Sequence, residues 1–308
     1  MSRILPIRAH DRKHPSPASA RGGRLPLLVS VPHGGYSIPL DILHHIDLEF
    51  KDIFPDSDPC TRTIYSFADE VFSFHESDIA RAVVDLNRAD DDLPPWNIDG
   101  VVKSHTVMGK EIYLPGSAPD RRGIEILLER YYYPYHQNIA SALADPGLLC
   151  ALDCHSMLEF PPETSAGETK TRPFICLSNC GDENGDGNSD ELSCPPDLLN
   201  LLANCLRSVF PEEADSIVLN APFKGGYISR YHRGTVPWIQ IELNRRAYLR
   251  EPWFEPASLR VDNAILHTLR KKFLQALTVF CQEALARQSL ENMESSRSFF
   301  FPATPSLS

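Results

Sequence analysis

The chain has 308 residues, 42% of them hydrophobic, which is enough for one large α/β domain with a substantial core. Acidic residues outnumber basic ones by 41 to 30, giving a formal net charge of -11. An acidic surface argues against nucleic acid or an anionic membrane as the main partner, although local arginines inside a cleft can still bind a small anion.

The sequence predicts a cytoplasmic protein. No stretch approaches about 18 uninterrupted apolar residues, so no transmembrane helix is expected, and the first residues lack the apolar core of a secretory signal peptide. In that compartment the eight cysteines should be free thiols. The spacing of the pairs Cys150/Cys154 and Cys176/Cys180 fits a cysteine zinc site poorly.

Strand and helix patterns alternate along the middle of the chain. In chain order they are a strand at 24–31, a helix at 60–71, a strand at 80–88, a helix at 122–144, strands at 148–156 and 173–179, a helix at 195–210, strands at 216–223 and 236–244, and a helix at 260–288. Pro134 should bend or break its helix. This order predicts an α/β fold with three αβα layers around a mixed, largely parallel central sheet.

The two ends differ in composition from this middle part. Residues 1–23 are rich in Arg, Ser, Pro and Gly, and the chain ends in "ESSRSFFFPATPSLS". We therefore expect a poorly ordered N-terminal segment at 1–23, a single α/β domain at 24–288 and a loose C-terminal tail at 289–308.

Two histidines lie where predicted strands end. His33 follows the first strand in "SVPHGG", and His155 closes another in "LDCHS". Carboxyl ends of parallel strands meet at one edge of a sheet, so both side chains should lie close together. Two imidazoles and a carboxylate are the ligand set of a catalytic zinc ion (Zn2+) with one position left for water. In "PDSD" we favour Asp58 as the carboxylate, with Asp56 as its competitor.

Three further polar residues accompany these strands. Asp153 points to the same face as His155, so it would accept a hydrogen bond from that ring or ligate the metal itself, and Ser156 adjoins it. Glu242 lies in an apolar strand, where burying an unpartnered carboxylate is costly. It is either in an ion pair, for instance with Arg245, or a general base facing the cleft, and we favour the base.

The segment "VVDLNR" ends in Asn87 and Arg88. Arg88 either binds a substrate carboxylate, with Asn87 beside it, or pairs with Asp85, Asp90 or Glu242. An arginine suits the first role because its guanidinium binds a carboxylate through two parallel hydrogen bonds.

The segment "FKGGYISRYHRG" is a second candidate binding loop. Gly226 allows the backbone to approach a ligand closely, and Tyr227 follows it. Arg230 would grip a substrate carboxylate or stabilise an oxyanion.

Six motifs together resemble one known family. "SVPHGG", "PDSD", "VVDLNRADDD", "LDCHS", "FKGGYISRYHRG" and "IQIELNRRAYL" occur in the order, and at about the spacing, of the N-formylglutamate amidohydrolase family, over roughly residues 25–250. The resemblance implies a zinc-carboxypeptidase-like and aspartoacylase-like fold, of the phosphorylase/hydrolase type. It also implies hydrolysis of N-formyl-L-glutamate to formate and glutamate, late in a route of histidine degradation.

Carried over to this chain, the resemblance implies His33, His155 and either Asp58 or Asp56 as ligands of zinc or another divalent metal. It places Glu242 as the catalytic glutamate, with arginines holding the carboxylates of a small anionic N-acyl amino acid. A serine esterase is disfavoured because no G-x-S-x-G elbow is present. A hydrolase of another N-acyl amino acid and a non-catalytic binding relative stay open.

Overall fold

The computed structural model describes residues 23–162, 171–234 and 236–300, the last ten by their backbone. A six-stranded sheet has the order β2–β1–β3–β6–β4–β5. The strands are β1 Leu25–Val31, β2 Val71–Glu76, β3 Cys150–Met157, β4 Ile175–Ser178, β5 Ile217–Leu219 and β6 Trp238–Asn244. The first four strands in that order are parallel, whereas β4 runs antiparallel to β6 and parallel to β5. The predicted mixed, largely parallel sheet is confirmed.

Seven α-helices accompany the sheet in the described ranges. They are α1 Phe50–Asp56, α2 Thr61–Ile64, α3 Arg121–Leu127, α4 Tyr133–Ala142, α5 Pro196–Val209, α6 Tyr227–Tyr231 and α7 Asn263–Phe300. A π-helical turn at Leu128–Tyr132 joins α3 to α4, and two short strands, β7 Phe254–Glu255 and β8 Arg260–Val261, pair separately.

Both faces of the sheet are covered, as the alternation of side chains along β1 illustrates. Leu27, Val29 and Val31 belong to a core with α5 and α7, whereas Leu28 faces a second core with α3 and α4. Burying each such side chain contributes about 1.5–3 kcal/mol. The helices and sheet therefore form three layers. In the described ranges, no helix is both long and apolar enough to cross a bilayer.

The segment 80–88 is not a strand, so that prediction is wrong. It forms buried turns in which the amides of Val83 and Val84 donate to the carbonyl of Ala80, and that of Asp85 to Val101. A short apolar run looks the same in a buried loop as in a strand.

The helix predicted at 60–71 is also wrong over most of its length. Only α2 is helical there, and the chain enters β2 at Val71, a strand that the sequence did not indicate.

Pro134 does not break its helix, since the chain stays helical from Arg121 to Ala142. A proline lacks an N–H and crowds the carbonyl four residues earlier. The π-helical turn directly before Pro134 widens the backbone there, which accommodates the ring without ending the helix.

The predicted segment boundaries fall near the limits of what the structure describes. The helix α7 continues to Phe300, beyond the predicted domain boundary at 288. The predicted N-terminal segment, apart from Gly23, and residues 301–308 of the predicted tail lie outside the described residues.

Candidate active site

Three predicted metal ligands meet at the edge of the sheet formed by the carboxyl ends of β1, β3 and β6. His33 follows β1, and His155 in β3 pairs in register with Glu242 of β6. Asp58 lies between α1 and α2, and its amide donates to the carbonyl of His33 at 2.9 Å. One ligand atom from each of His33, Asp58 and His155 lies within 4.8 Å of the others, and we call these residues the ligand cluster.

The glycines after His33 explain how the chain leaves β1 so tightly. A Cβ at Gly35 would overlap the backbone of Asp78, and one at Gly34 would overlap the side chain of Arg62. The absence of side chains here therefore lets the turn pack between the neighbouring segments and holds His33 at the edge of the sheet.

His33 has the protonation pattern of a metal ligand. Its Nε2 lies 2.8 Å from Oδ1 of Asp85, which only accepts, so Nε2 carries the ring proton. Arg81 holds the other oxygen of Asp85 at 2.8 Å. The Nδ1 atom of His33 is buried without a hydrogen-bond partner among the described residues and lies 3.6 Å from Oδ2 of Asp58. A cation between these two atoms would satisfy both.

His155 is oriented in the same way, although its Nδ1 has a hydrogen-bond partner. Its Nε2 lies 3.0 Å from Oδ2 of Asp153, and its Nδ1 lies 3.0 Å from Oδ2 of Asp58. Each histidine thus turns Nδ1 toward Asp58 and Nε2 toward an aspartate, the orientation that outer carboxylates impose on metal-bound histidines. The sequence singled out Asp153 for this position but not Asp85, whose only signal was a carboxylate ending an apolar run.

The electrostatics of the ligand cluster favour a positive charge at its centre. Burial alone would raise the pKa of Asp58, but the hydrogen bond from His155 and the adjacent ring of His33 hold it well below its usual range. Burial alone would lower the pKa of His155, but the adjacent carboxylates of Asp153 and Asp58 raise it well above its usual value. Two imidazole nitrogens and one carboxylate oxygen in such surroundings fit a divalent metal.

Arg245 orients the carboxylate of the ligand cluster, a role that the sequence did not indicate. Its Nη2 donates to Oδ1 of Asp58 at 3.1 Å and to the carbonyl of Ser57 at 2.6 Å. The same guanidinium donates to the carbonyl of Pro55 at 2.8 Å and to Oγ of Ser156 at 3.1 Å. It therefore fixes the loop that carries Asp58 and leaves Oδ2 facing the histidines.

Asp56, the alternative acidic ligand, lies in a different environment. It is fully buried, and its Oδ1 accepts from the amide of Val107 at 2.7 Å and from Nζ of Lys103 at 3.3 Å. The structure thus brings Asp58 to the histidines and holds Asp56 in a separate ion pair.

Glu242 is buried beside the ligand cluster and forms no ion pair with any described residue. Its Oε1 accepts a hydrogen bond from Gln240 at 2.8 Å, and Arg245 pairs with Asp58 instead. Burial raises the pKa of Glu242 to about 7, although the nearby His155 acts in the opposite direction. A carboxyl group that titrates near neutral pH can both accept and donate a proton.

A cavity of about 420 Å³ opens over the ligand cluster and Glu242. Its wall is rich in cationic side chains, which suits an anionic ligand. These are Arg81, Arg88, Arg172, Lys224, Arg230 and Arg245.

The two predicted clamp arginines differ in how they are held. Arg88 donates from Nη2 to Oδ2 of Asp99 at 2.8 Å and from Nε to the backbone carbonyl of Asp99 at 3.0 Å. The acidic partner of Arg88 is therefore Asp99, not Asp85 or Asp90, the two aspartates considered from the sequence. Arg230 is exposed and donates to the carbonyl of Gly225 at 2.6 Å. In the described part of the chain no carboxylate lies within 4.0 Å of Arg230, which leaves its charge available to a ligand.

Asn87 connects the cavity wall to the ligand cluster. Its Oδ1 accepts from the amide of Ile228 at 2.8 Å, and its Nδ2 lies 3.3 Å from Nε2 of His155. A Cβ at Gly226 would overlap the carboxamide of Asn87, so this glycine permits the contact. Asn87 and Gly226 both line the cavity.

The structure places Tyr227 and Ser156 differently. Tyr227 stacks on Tyr231 and meets the ring of His136 edge-on, and it is not among the residues that line the cavity. Ser156 does line the cavity, where its hydroxyl accepts from Arg245.

Comparisons with known proteins identify the family. The family model described as N-formylglutamate amidohydrolase matches residues 25–249. The N-formylglutamate deformylase of Pseudomonas putida is 31% identical over 277 residues, which cover 86% of this chain and 97% of the relative. The N-formylglutamate deformylase of Pseudomonas aeruginosa is 30% identical over 280 residues, which cover 87% of this chain and 98% of that relative. A solved N-formylglutamate amidohydrolase from Ralstonia eutropha JMP134 shares the fold, with a TM-score of 0.67 and 19% identity over 84% of this chain and 94% of that one. The chain therefore belongs to the N-formylglutamate amidohydrolase family.

Proposed function

We propose that this protein hydrolyses N-formyl-L-glutamate to formate and L-glutamate with a divalent metal, zinc, held by His33, Asp58 and His155. The observation that carries the proposal is the buried, unpartnered Nδ1 of His33, which faces Oδ2 of Asp58 beneath a cavity lined by cationic side chains. The names of the curated relatives support the substrate.

A bound zinc ion would polarise the formyl oxygen and acidify a water molecule. Glu242 then takes a proton from the water that attacks the formyl carbon and delivers it to the nitrogen of the departing glutamate. Its pKa of about 7 suits both halves of this transfer. Gln240 holds one carboxylate oxygen of Glu242 and so orients the group.

The acid end of the substrate supplies most of the selectivity, because a formyl group offers little surface to recognise. Arg230 binds one carboxylate of the substrate, since it has no acidic partner in the described chain. Arg88, which also lines the cavity and is held in place by Asp99, binds the other carboxylate. The proposed ligand is therefore a small anionic N-acyl amino acid.

Zinc content and formate release test this proposal. We expect about one zinc ion per chain in the wild type. The double variant His33→Ala/His155→Ala should lose the metal, whereas a matched variant of two histidines outside the ligand cluster, His44→Ala/His105→Ala, should keep it. Formate release from N-formyl-L-glutamate should fall roughly 10²–10⁴-fold in Glu242→Gln, with zinc retained.

Each outcome separates one part of the proposal from the others. A zinc-loaded wild type that releases no formate from N-formyl-L-glutamate would refute the substrate, and parallel assays with N-formyl-L-aspartate and N-acetyl-L-glutamate would then identify another N-acyl amino acid. Full zinc in the His33→Ala/His155→Ala protein would refute the ligand assignment. Unchanged turnover in Glu242→Gln would remove this residue as the base.

A further inference from the structure

Two histidines outside the ligand cluster join three elements near the cavity. His136 in α4 is buried, and its Nε2 lies 3.1 Å from the carbonyl of Leu86. Its Nδ1 lies 2.9 Å from Nε2 of His232, the residue that follows α6. The ring of His232 also stacks on Trp238 at the start of β6, with 5.9 Å between centroids.

Chemistry fixes the direction of both hydrogen bonds. The carbonyl of Leu86 only accepts, so Nε2 of His136 carries the proton and Nδ1 offers a lone pair. His232 must then donate its Nε2–H to that lone pair. Burial lowers the pKa of each histidine to about 4, so both rings are neutral at pH 7, as this pairing requires.

Tyr132 lies one helical turn before His136 and forms a hydrogen bond to the same loop, residues 86–88. Its hydroxyl donates to the carbonyl of Arg88 at 2.8 Å. Tyr132 ends the π-helical turn, and such turns often occur at functional sites. The helix therefore holds the carbonyls of Leu86 and Arg88, on either side of Asn87.

The other side of this arrangement is α6, which carries Arg230. Its first turn is fixed to Asn87 by the amide of Ile228, and its end is fixed to α4 by His232. The contacts of His136, Leu86, Asn87, α6 and His232 thus form a closed ring, which we call the histidine strap. This ring includes Asn87, the neighbour of Arg88, and α6, which carries Arg230.

We infer that His136 is a positioning residue, which acts through the histidine strap to set the spacing of Arg88 and Arg230 and thereby the affinity for the substrate's carboxylates. The inference rests on the proposed function for its substrate. His136 does not line the cavity and is no part of the ligand cluster, so it acts on the substrate only through the histidine strap.

A pair of substitutions at this position tests the inference. In His136→Gln the carboxamide keeps one donor and one acceptor, whereas His136→Leu keeps neither. We expect His136→Leu to raise the KM for N-formyl-L-glutamate about tenfold, with kcat changed less than about twofold and zinc content unchanged. His136→Gln should restore most of the wild-type KM.

Hydrogen–deuterium exchange supplies a readout that does not depend on activity. Backbone amides at 86–88 and 226–232 should exchange faster in His136→Leu than in His136→Gln or the wild type. If His136→Leu does not fold, His232→Phe, which keeps the stacked ring and removes the hydrogen bond, is measured instead.

The outcomes distinguish this inference from the proposed function. Unchanged exchange at both segments would overturn the inference even if the wild type proved inactive on N-formyl-L-glutamate. In an active enzyme, a wild-type KM in His136→Leu, or a loss confined to kcat or to zinc content, would also overturn it. Inactivity of the wild type with the expected exchange pattern would refute the substrate alone.

Discussion

Arg245 decides which oxygen of Asp58 faces the histidines. The guanidinium donates to Oδ1, while Oδ2 lies 3.0 Å from Nδ1 of His155 and 3.6 Å from Nδ1 of His33. An aspartate held in this way would offer one oxygen to a metal. The arginine also binds backbone carbonyls on the loop that carries Asp58, so it fixes the position of the carboxylate as well as its rotation.

We predict that Arg245→Lys weakens zinc binding about 10–100-fold, the usual effect of losing a residue that orients a metal ligand. A lysine keeps the charge, but its single ammonium group cannot reach Asp58 and the backbone carbonyls in the planar geometry of a guanidinium. Competition with a chromophoric chelator measures the dissociation constant. Arg246→Lys is the matched control, because Arg246 pairs with Glu213 away from the ligand cluster. Equal zinc affinity in the two variants would contradict this role for Arg245.

The short helix α6 depends on the turn that precedes it. Gly225 has a φ of 124°, a backbone conformation that side chains rarely adopt, and its missing Cβ leaves room for the thiol of Cys180. Gly226 then brings the backbone against the carboxamide of Asn87. These two glycines let α6 approach the ligand cluster closely enough to bring Arg230 to the cavity wall.

Gly226→Ala should therefore damage substrate binding. The added methyl group would overlap Asn87 and push α6 away, so we expect the KM for N-formyl-L-glutamate to rise at least about tenfold and the free energy of unfolding to fall by about 1–3 kcal/mol. Steady-state kinetics and urea denaturation measure the two effects. Gly234→Ala, in the same segment, is the control, because a Cβ there meets nothing within 4 Å. Identical behaviour of the two variants would show that the overlap is relieved without cost.

What could be predicted from the sequence depends on how far apart in the chain the contacting residues lie. Strands β1, β3 and β6 were predictable because a long apolar run in the local sequence indicates a buried strand. These strands bring His33, His155 and Glu242 to one edge of the sheet. Asp85 and Arg245 act through contacts 52 and 187 residues away in the chain, with His33 and Asp58 respectively, which no local pattern records.

The same limit explains the wrong elements. The run at 80–88 is apolar because it is buried in the second core. Burial alone does not determine whether the backbone pairs with a neighbouring strand. Pro134 predicted a break because the sequence does not show the π-helical turn that accommodates it.

At the scale of the whole molecule, the ligand cluster joins parts of the chain that are far apart in sequence. His155 belongs to the centre of the sheet, His33 to the turn after β1 and Asp58 to the loop before α2. A metal bound there would hold these parts together in the folded chain, whereas the unfolded chain presents no preformed site. Metal binding should therefore contribute directly to the free energy of unfolding.

Thermal unfolding with and without zinc measures this contribution. With free zinc at about 100 times its dissociation constant, we expect the free energy of unfolding to rise by about 2.7 kcal/mol and the Tm by roughly 5 °C. Imidazole binds a metal only when deprotonated, so protons compete with zinc. Because the adjacent carboxylates raise the pKa of His155 well above its usual value, the rise should already shrink as the pH falls through neutrality. The His33→Ala/His155→Ala variant should show no rise, because it lacks two of the three ligand atoms. An equal rise in that variant would mean that zinc stabilises the protein from a different site.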